Sequence, residues 1–164
     1  MNPGPALLLL LFSVVFQATA APLYRAGSIE PDFPFLALVY LAFFAEPVAL
    51  LWAAVLVAAA IDCVSIDPFG TRLLAFPPVL LLLNRFRRGF VAESALLRCG
   101  LTIAGCVVAF TIEGAFLAWK DGRWLGLGFE VRSALYTALL GLAVHGVMDR
   151  GRFRLGWTRD RFFA

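Results

Sequence analysis

Residues 33–61 read FPFLALVYLAFFAEPVALLWAAVLVAAAI, and the only charge among them is Glu46, followed at once by Pro47. As one helix this stretch would be about 43 Å long at 1.5 Å per residue, against roughly 30 Å of bilayer hydrocarbon. It would also hold a carboxylate near mid-membrane, at about 2.5–3.5 kcal/mol or more. As a hairpin, Glu46 sits in a tight turn and Pro47 opens the second helix, where its missing N–H is no loss. The hairpin is the less costly solution. Its first arm is expected to begin near Ser28 and its second to reach about Asp67.

The remainder of the chain has the same character. Hydrophobic residues make up 62% of the 164 residues and charged residues 15%, against roughly 45–50% and about 25% in soluble domains. Mean hydropathy is +0.87. A domain this small cannot bury such a surplus within itself. Disorder, a coiled coil and a disulfide-rich secreted module are excluded, and the expected class is an all-α, polytopic membrane helical bundle. Six transmembrane helices are expected in a single integral membrane domain, at residues 5–23, 28–45, 47–66, 71–83, 96–119 and 130–148. The first run has a rival reading as a cleaved signal peptide, because Ala18-Thr19-Ala20 resembles a cleavage site. No Lys or Arg precedes Arg25 and the run is long for such a segment, which favours a retained helix. Pro77-Pro78 is expected to kink the fourth helix, and Asn84-Arg85-Phe86-Arg87-Arg88-Gly89 reads as a basic break before the fifth.

Cation counting orients the bundle. Arg85, Arg87, Arg88 and Arg98 fall on one side with Arg150, Arg152, Arg154, Arg159 and Arg161 of the tail, whereas Arg25, Arg72, Lys120, Arg123 and Arg132 fall on the other. The richer side is expected to be cytoplasmic, which places the C-terminus inside and, with six spans, the N-terminus as well. Five spans, with residues 33–61 as one helix, would move only the N-terminus. The net charge of +3 points to an anionic lipid leaflet rather than nucleic acid. Tail arginines alternating with Phe153, Leu155, Trp157, Phe162 and Phe163 read as an interfacial anchor or as a plain positive-inside signal.

Chemistry-bearing residues are sparse, and no catalytic, cofactor or metal set is expected. His145 is the single histidine, and no H-E-x-x-H, paired CxxC, G-x-S-x-G or phosphate-loop pattern occurs. Cys63, Cys99 and Cys106 stand among apolar neighbours and read as buried thiols. Asp62 and Asp67, beside Pro68 and Gly70, read as capping or turn-forming residues rather than a carboxylate dyad. Glu113 lies in the fifth helix, where a carboxylate must face protein or water, be protonated, or pair. A structural ion pair or snorkelling is preferred over a proton or substrate site. His145 reads as a satisfied interfacial side chain. Gly105, Ala109 and Glu113, and likewise Ser133, Thr137, Gly141 and His145, follow at i, i+4 spacing. Such rows allow close helix approach, within the bundle or against a second membrane protein.

The order of landmarks resembles the rod shape-determining protein MreD family, most clearly from Pro31 to Arg88. A proline-led second span, Pro31-Asp32-Phe33-Pro34-Phe35-Leu36-Ala37-Leu38-Val39-Tyr40, is followed by a small-residue third span ending in Ala58-Ala59-Ala60-Ile61-Asp62. Pro68-Phe69-Gly70 comes next, and the fourth span runs into Asn84-Arg85-Phe86-Arg87-Arg88. Ala58 stands where the family often has glycine, and Pro77-Pro78 is not a family feature. The resemblance implies a non-enzymatic scaffold in the bacterial cytoplasmic membrane, binding the bitopic protein MreC and linked to MreB filaments and peptidoglycan synthases. It makes Asp62 and Gly70 candidate structural or partner-contact residues. The alternative is a vitamin-binding subunit of a membrane transporter, which would need a polar cavity. The scarcity of intramembrane polar residues, chiefly Glu113, Thr111, Thr137 and His145, favours the scaffold.

Overall fold

The computed structural model describes residues 3–19, 23, 31–65, 68–89, 95–122, 131–141, 143 and 146. Six helices form them: α1 (Pro3–Thr19), α2 (Phe33–Ala42), α3 (Pro47–Val64), α4 (Thr71–Gly89), α5 (Ala95–Asp121) and α6 (131–141). Among the described residues there is no strand. The chain does break at Glu46-Pro47: Glu46 is an exposed N-cap in extended conformation and Pro47 occupies the first turn of α3.

α2 is the axis of the molecule. Every residue from Pro34 to Ala42 is buried, on all faces rather than along one stripe, which is the mark of a helix surrounded by others. Phe35 meets Phe76 of α4 at 4.8 Å and Phe110 of α5 at 6.3 Å between ring centroids. Phe16 at the end of α1 packs edge-on against Phe33 at 4.8 Å. Contacts between ends give the directions. The end of α1 meets the start of α2, and Asp62 near the end of α3 meets Gly70 and Arg72 at the start of α4. Asp32, the N-cap of α2, and Ala42 at its end meet Arg72 and Asn84 of α4 respectively, so those two helices run parallel in direct contact, and the intervening α3 runs antiparallel to them.

The outside of the bundle is apolar. Leu7, Leu8, Leu11 and Phe12 of α1, Val48, Trp52 and Leu56 of α3, and Leu139 of α6 are each about 60% exposed or more. α3 and residues Gly100–Lys120 of α5 are long and apolar enough to cross a membrane. Only 28% of α3 is buried within the molecule, whereas the core helix of a soluble protein would be mostly covered.

Three expectations are corrected. α2 begins at Phe33 rather than near Ser28, because Asp32 is its N-cap in extended conformation. The basic stretch from Asn84 to Gly89 is helical and belongs to α4, which also contains Pro77 and Pro78. Cys63 is exposed, while Cys106 is buried; Cys63 follows the inward-facing Asp62 and lies about 100° further round the helix. Asp67, His145 and the tail with Arg150, Arg152, Arg154, Arg159 and Arg161 lie outside the described residues.

Candidate functional site

An α-helix leaves its first N–H groups without internal partners, and a buried helix end must find them elsewhere. At the start of α4 one side chain supplies most of what is needed. Asp62 Oδ1 accepts from the Arg72 N–H at 3.2 Å, and Oδ2 accepts from Gly70 at 3.0 Å and Leu73 at 3.3 Å. Thr71 donates its N–H and its hydroxyl to the Pro68 carbonyl, and Leu74 begins the regular pattern by donating to the Gly70 carbonyl. Asp62 is thus a cap for the next helix, contributed from the last turn of the previous one. Its negative charge also sits at the positive end of the α4 dipole. The turn that permits this approach requires Gly70, whose φ of +100° is closed to ordinary L-residues.

The start of α2 is closed as completely. The Asp32 N–H donates to Thr137 Oγ1 at 3.4 Å, the Phe33 N–H to Gln17 Oε1 at 3.0 Å, and the Phe35 N–H to Asp32 Oδ1 at 2.8 Å. Pro34 has no N–H to satisfy, and the Leu36 N–H takes the Asp32 carbonyl. Arg72 joins the two caps: its Nε lies 3.8 Å from Asp32 Oδ2 and its Nη1 3.7 Å from Asp62 Oδ1. Ion pairs and hydrogen bonds at this end therefore link α1, α2, α3, α4 and α6. At the other end of α2, Asn84 of α4 donates both amide hydrogens, to the carbonyls of Ala42 at 2.8 Å and Ala45 at 3.0 Å.

The remaining candidates are placed as follows. Glu113 is 9% exposed, on the same row of α5 as the buried Gly105 and Ala109. A Cβ at Gly105 would stand 2.7 Å from Leu83 Cδ1, and one at Gly141 would stand 2.6 Å from Leu36 Cδ2. Gly105 is thus where α5 touches α4, and Gly141 is where α6 receives Leu36 of α2. Ser133, Thr137 and Gly141 all face inward. Arg85 is exposed, one residue beyond the buried Asn84, and Arg87 and Arg88 are helical positions of α4. The structure brings Asp62 and Gly70 together; Glu113 and Gly141 lie on other helices.

Sequence reasoning assigned no part in this arrangement to Asp32, Arg72, Asn84 or Gln17. Asp32 had a signal, an aspartate two residues before a proline at the head of an apolar run. Asn84, between Leu83 and Arg85, had none.

A helical bundle that is apolar on its outside and uses its buried aspartates and asparagine to close helix ends is built as a membrane protein. The family model of the rod shape-determining protein MreD matches residues 5–148, nearly the whole chain, and the chain belongs to that family. No curated protein and no solved structure matches it. The family comprises membrane proteins of the Mre complex, structural in character, that act in rod-shape determination.

Proposed function

We propose that the protein is a non-enzymatic scaffold of the bacterial cell-wall elongation complex, holding a bitopic MreC-like partner in the cytoplasmic membrane. Through that partner it is connected to actin-like MreB filaments and to the peptidoglycan synthases, and so helps to maintain cell shape. It crosses the bilayer six times with both termini in the cytoplasm. Family membership carries this reading. The use of Asp32, Asp62 and Asn84 as helix caps supports it, because those groups are then engaged in architecture rather than in a substrate cavity. The exposed Arg85 at the end of the apolar part of α4 suits a cytoplasmic headgroup layer.

The test is co-purification of the full-length chain with the bitopic partner from membranes in mild detergent. Recovery of a stoichiometric complex is expected. Tight vitamin binding by the chain alone, with no such partner recovered, would replace the scaffold with the transporter reading.

A further inference from the structure

α2 poses a problem of register. It is ten residues long, about 15 Å, and its sequence FPFLALVYLA carries one polar group, the Tyr40 hydroxyl near its end. Its described surface is covered on every side. Apolar packing alone discriminates weakly between axial positions of such a helix, which is why single buried polar groups are effective at setting register. Polar attachments hold α2 at both of its ends, and α4 contributes to both. Arg72 reaches Asp32 at 3.8 Å, and Asn84 reaches the carbonyls of Ala42 and Ala45 at 2.8 and 3.0 Å. Arg72 and Asn84 are twelve positions apart on α4, about 18 Å. This matches the distance from the N-cap of α2 to the turn that follows it. The two helices run parallel, so a slide of α2 along α4 in either direction strains both attachments together.

We propose that α4 is a two-point clamp on α2, gripping its first turn through Arg72 and its last through Asn84, so that the pair forms one strut between the two ends of the bundle. The packing of the interior follows from the position the clamp enforces: Phe35 between Phe76 and Phe110, and Leu36 opposite Gly141. Asp62 does not depend on the clamp, because three backbone N–H groups hold its carboxylate. Arg72 is therefore the residue that extends the α3–α4 turn to α2. A disturbance at the Asn84 end, next to the exposed Arg85, is carried along α2 to the Asp32 end.

Amide hydrogen exchange on the full-length protein in detergent micelles tests this. With Asn84→Ala, exchange is expected to quicken about tenfold at Phe35 and Leu36, in the turn remote from the substitution, as well as at Phe43–Ala45. With Arg72→Gln the reverse is expected, quickening at Phe43–Ala45 as well as at Phe35. Changes confined in each variant to the nearer end would show two separate caps and overturn the clamp. Unfolding midpoints give a second measurement. The Arg72→Gln/Asn84→Ala double variant is expected to lose clearly less than the two single losses added together, since either one already breaks the two-point hold of α4, while the bonds of Gln17 and Thr137 to the start of α2 remain in every variant; a simple sum would overturn the proposal. If a variant does not fold, Asn84→Ser and Arg72→Lys, which keep a donor and the charge, are read by the same criteria.

Discussion

Asp62 shows how much one buried carboxylate can organise. Asparagine in its place keeps one acceptor oxygen but sets an N–H₂ group against backbone donors, and it removes the charge that faces Arg72. Asp62→Asn is expected to lower stability by about 1–3 kcal/mol, read as the thermal unfolding midpoint in detergent. Cells carrying it are expected to elongate poorly at normal protein level; wild-type shape would leave the charge without a part in function. Gly70→Ala tests the turn separately. The space beside Gly70 is open, so the cost is backbone strain at φ +100° rather than a clash. About 1–2 kcal/mol is expected, and less for Gly70→Asn, since asparagine tolerates positive φ. A turn at Asp62–Gly70 was legible in the sequence because aspartate, proline and glycine cluster there. That the aspartate caps a helix starting nine residues later was not, because a carboxylate's acceptors say nothing of which backbone will fold up to meet them.

Among the helices, two close approaches are made where a glycine faces a leucine, Gly105 against Leu83 and Gly141 against Leu36. Leu36 is fully buried and its Cδ2 lies where a side chain at Gly141 would begin. Gly141→Leu is expected to destabilise by about 1–3 kcal/mol through overpacking. Leu36→Ala alone is expected to cost about 2–5 kcal/mol as a cavity, yet in the Gly141→Leu background it should restore part of the loss. Unfolding midpoints of the four proteins measure that change of sign. The break between α2 and α3 could be read from Glu46-Pro47, because a lone charge avoids the middle of an apolar helix and the proline after it fits best in a helix's first turn. The extent of α4 could not. Arginines at 85, 87 and 88 look like a solvated break, but a helix reaching a membrane surface continues readily through residues of high helix propensity. The small-residue rows do face inward, the preferred reading of them, but which neighbour each would meet was hidden, since i, i+4 spacing is the same whichever helix it faces.

For the molecule as a whole, an apolar exterior surrounds the buried Asp32, Asp62, Asn84 and Thr137 across the described residues, with Glu46, Arg85 and Lys120 exposed toward helix ends. Its placement in the bilayer follows from the proposed topology. Reporter fusions at Asn2 and Arg88 are expected to give cytoplasmic signals, and those at Glu30 and Asp121 extracytoplasmic ones. An extracytoplasmic signal at Asn2 would install the five-span arrangement, and one at Arg88 would defeat both. The all-helical class was legible from composition alone. The central position of α2 was not, because a helix that is apolar all round looks the same in sequence whether protein or lipid surrounds it.

The polar contacts also differ in when they become possible. Those of Asp62 reach only 8 to 11 residues along the chain, those of Asn84 reach 39 and 42, and the one between Asp32 and Thr137 reaches 105. During synthesis the α3–α4 hairpin can therefore close as soon as its own turn is made, after the 16-residue contact of Gln17 with Phe33 and before α5 exists, so Arg72 meets a carboxylate early. Asn84 then fixes the far end of α2. The amide of Asp32 stays without its threonine until α6 has been made, and that hydrogen bond marks the arrival of the last helix.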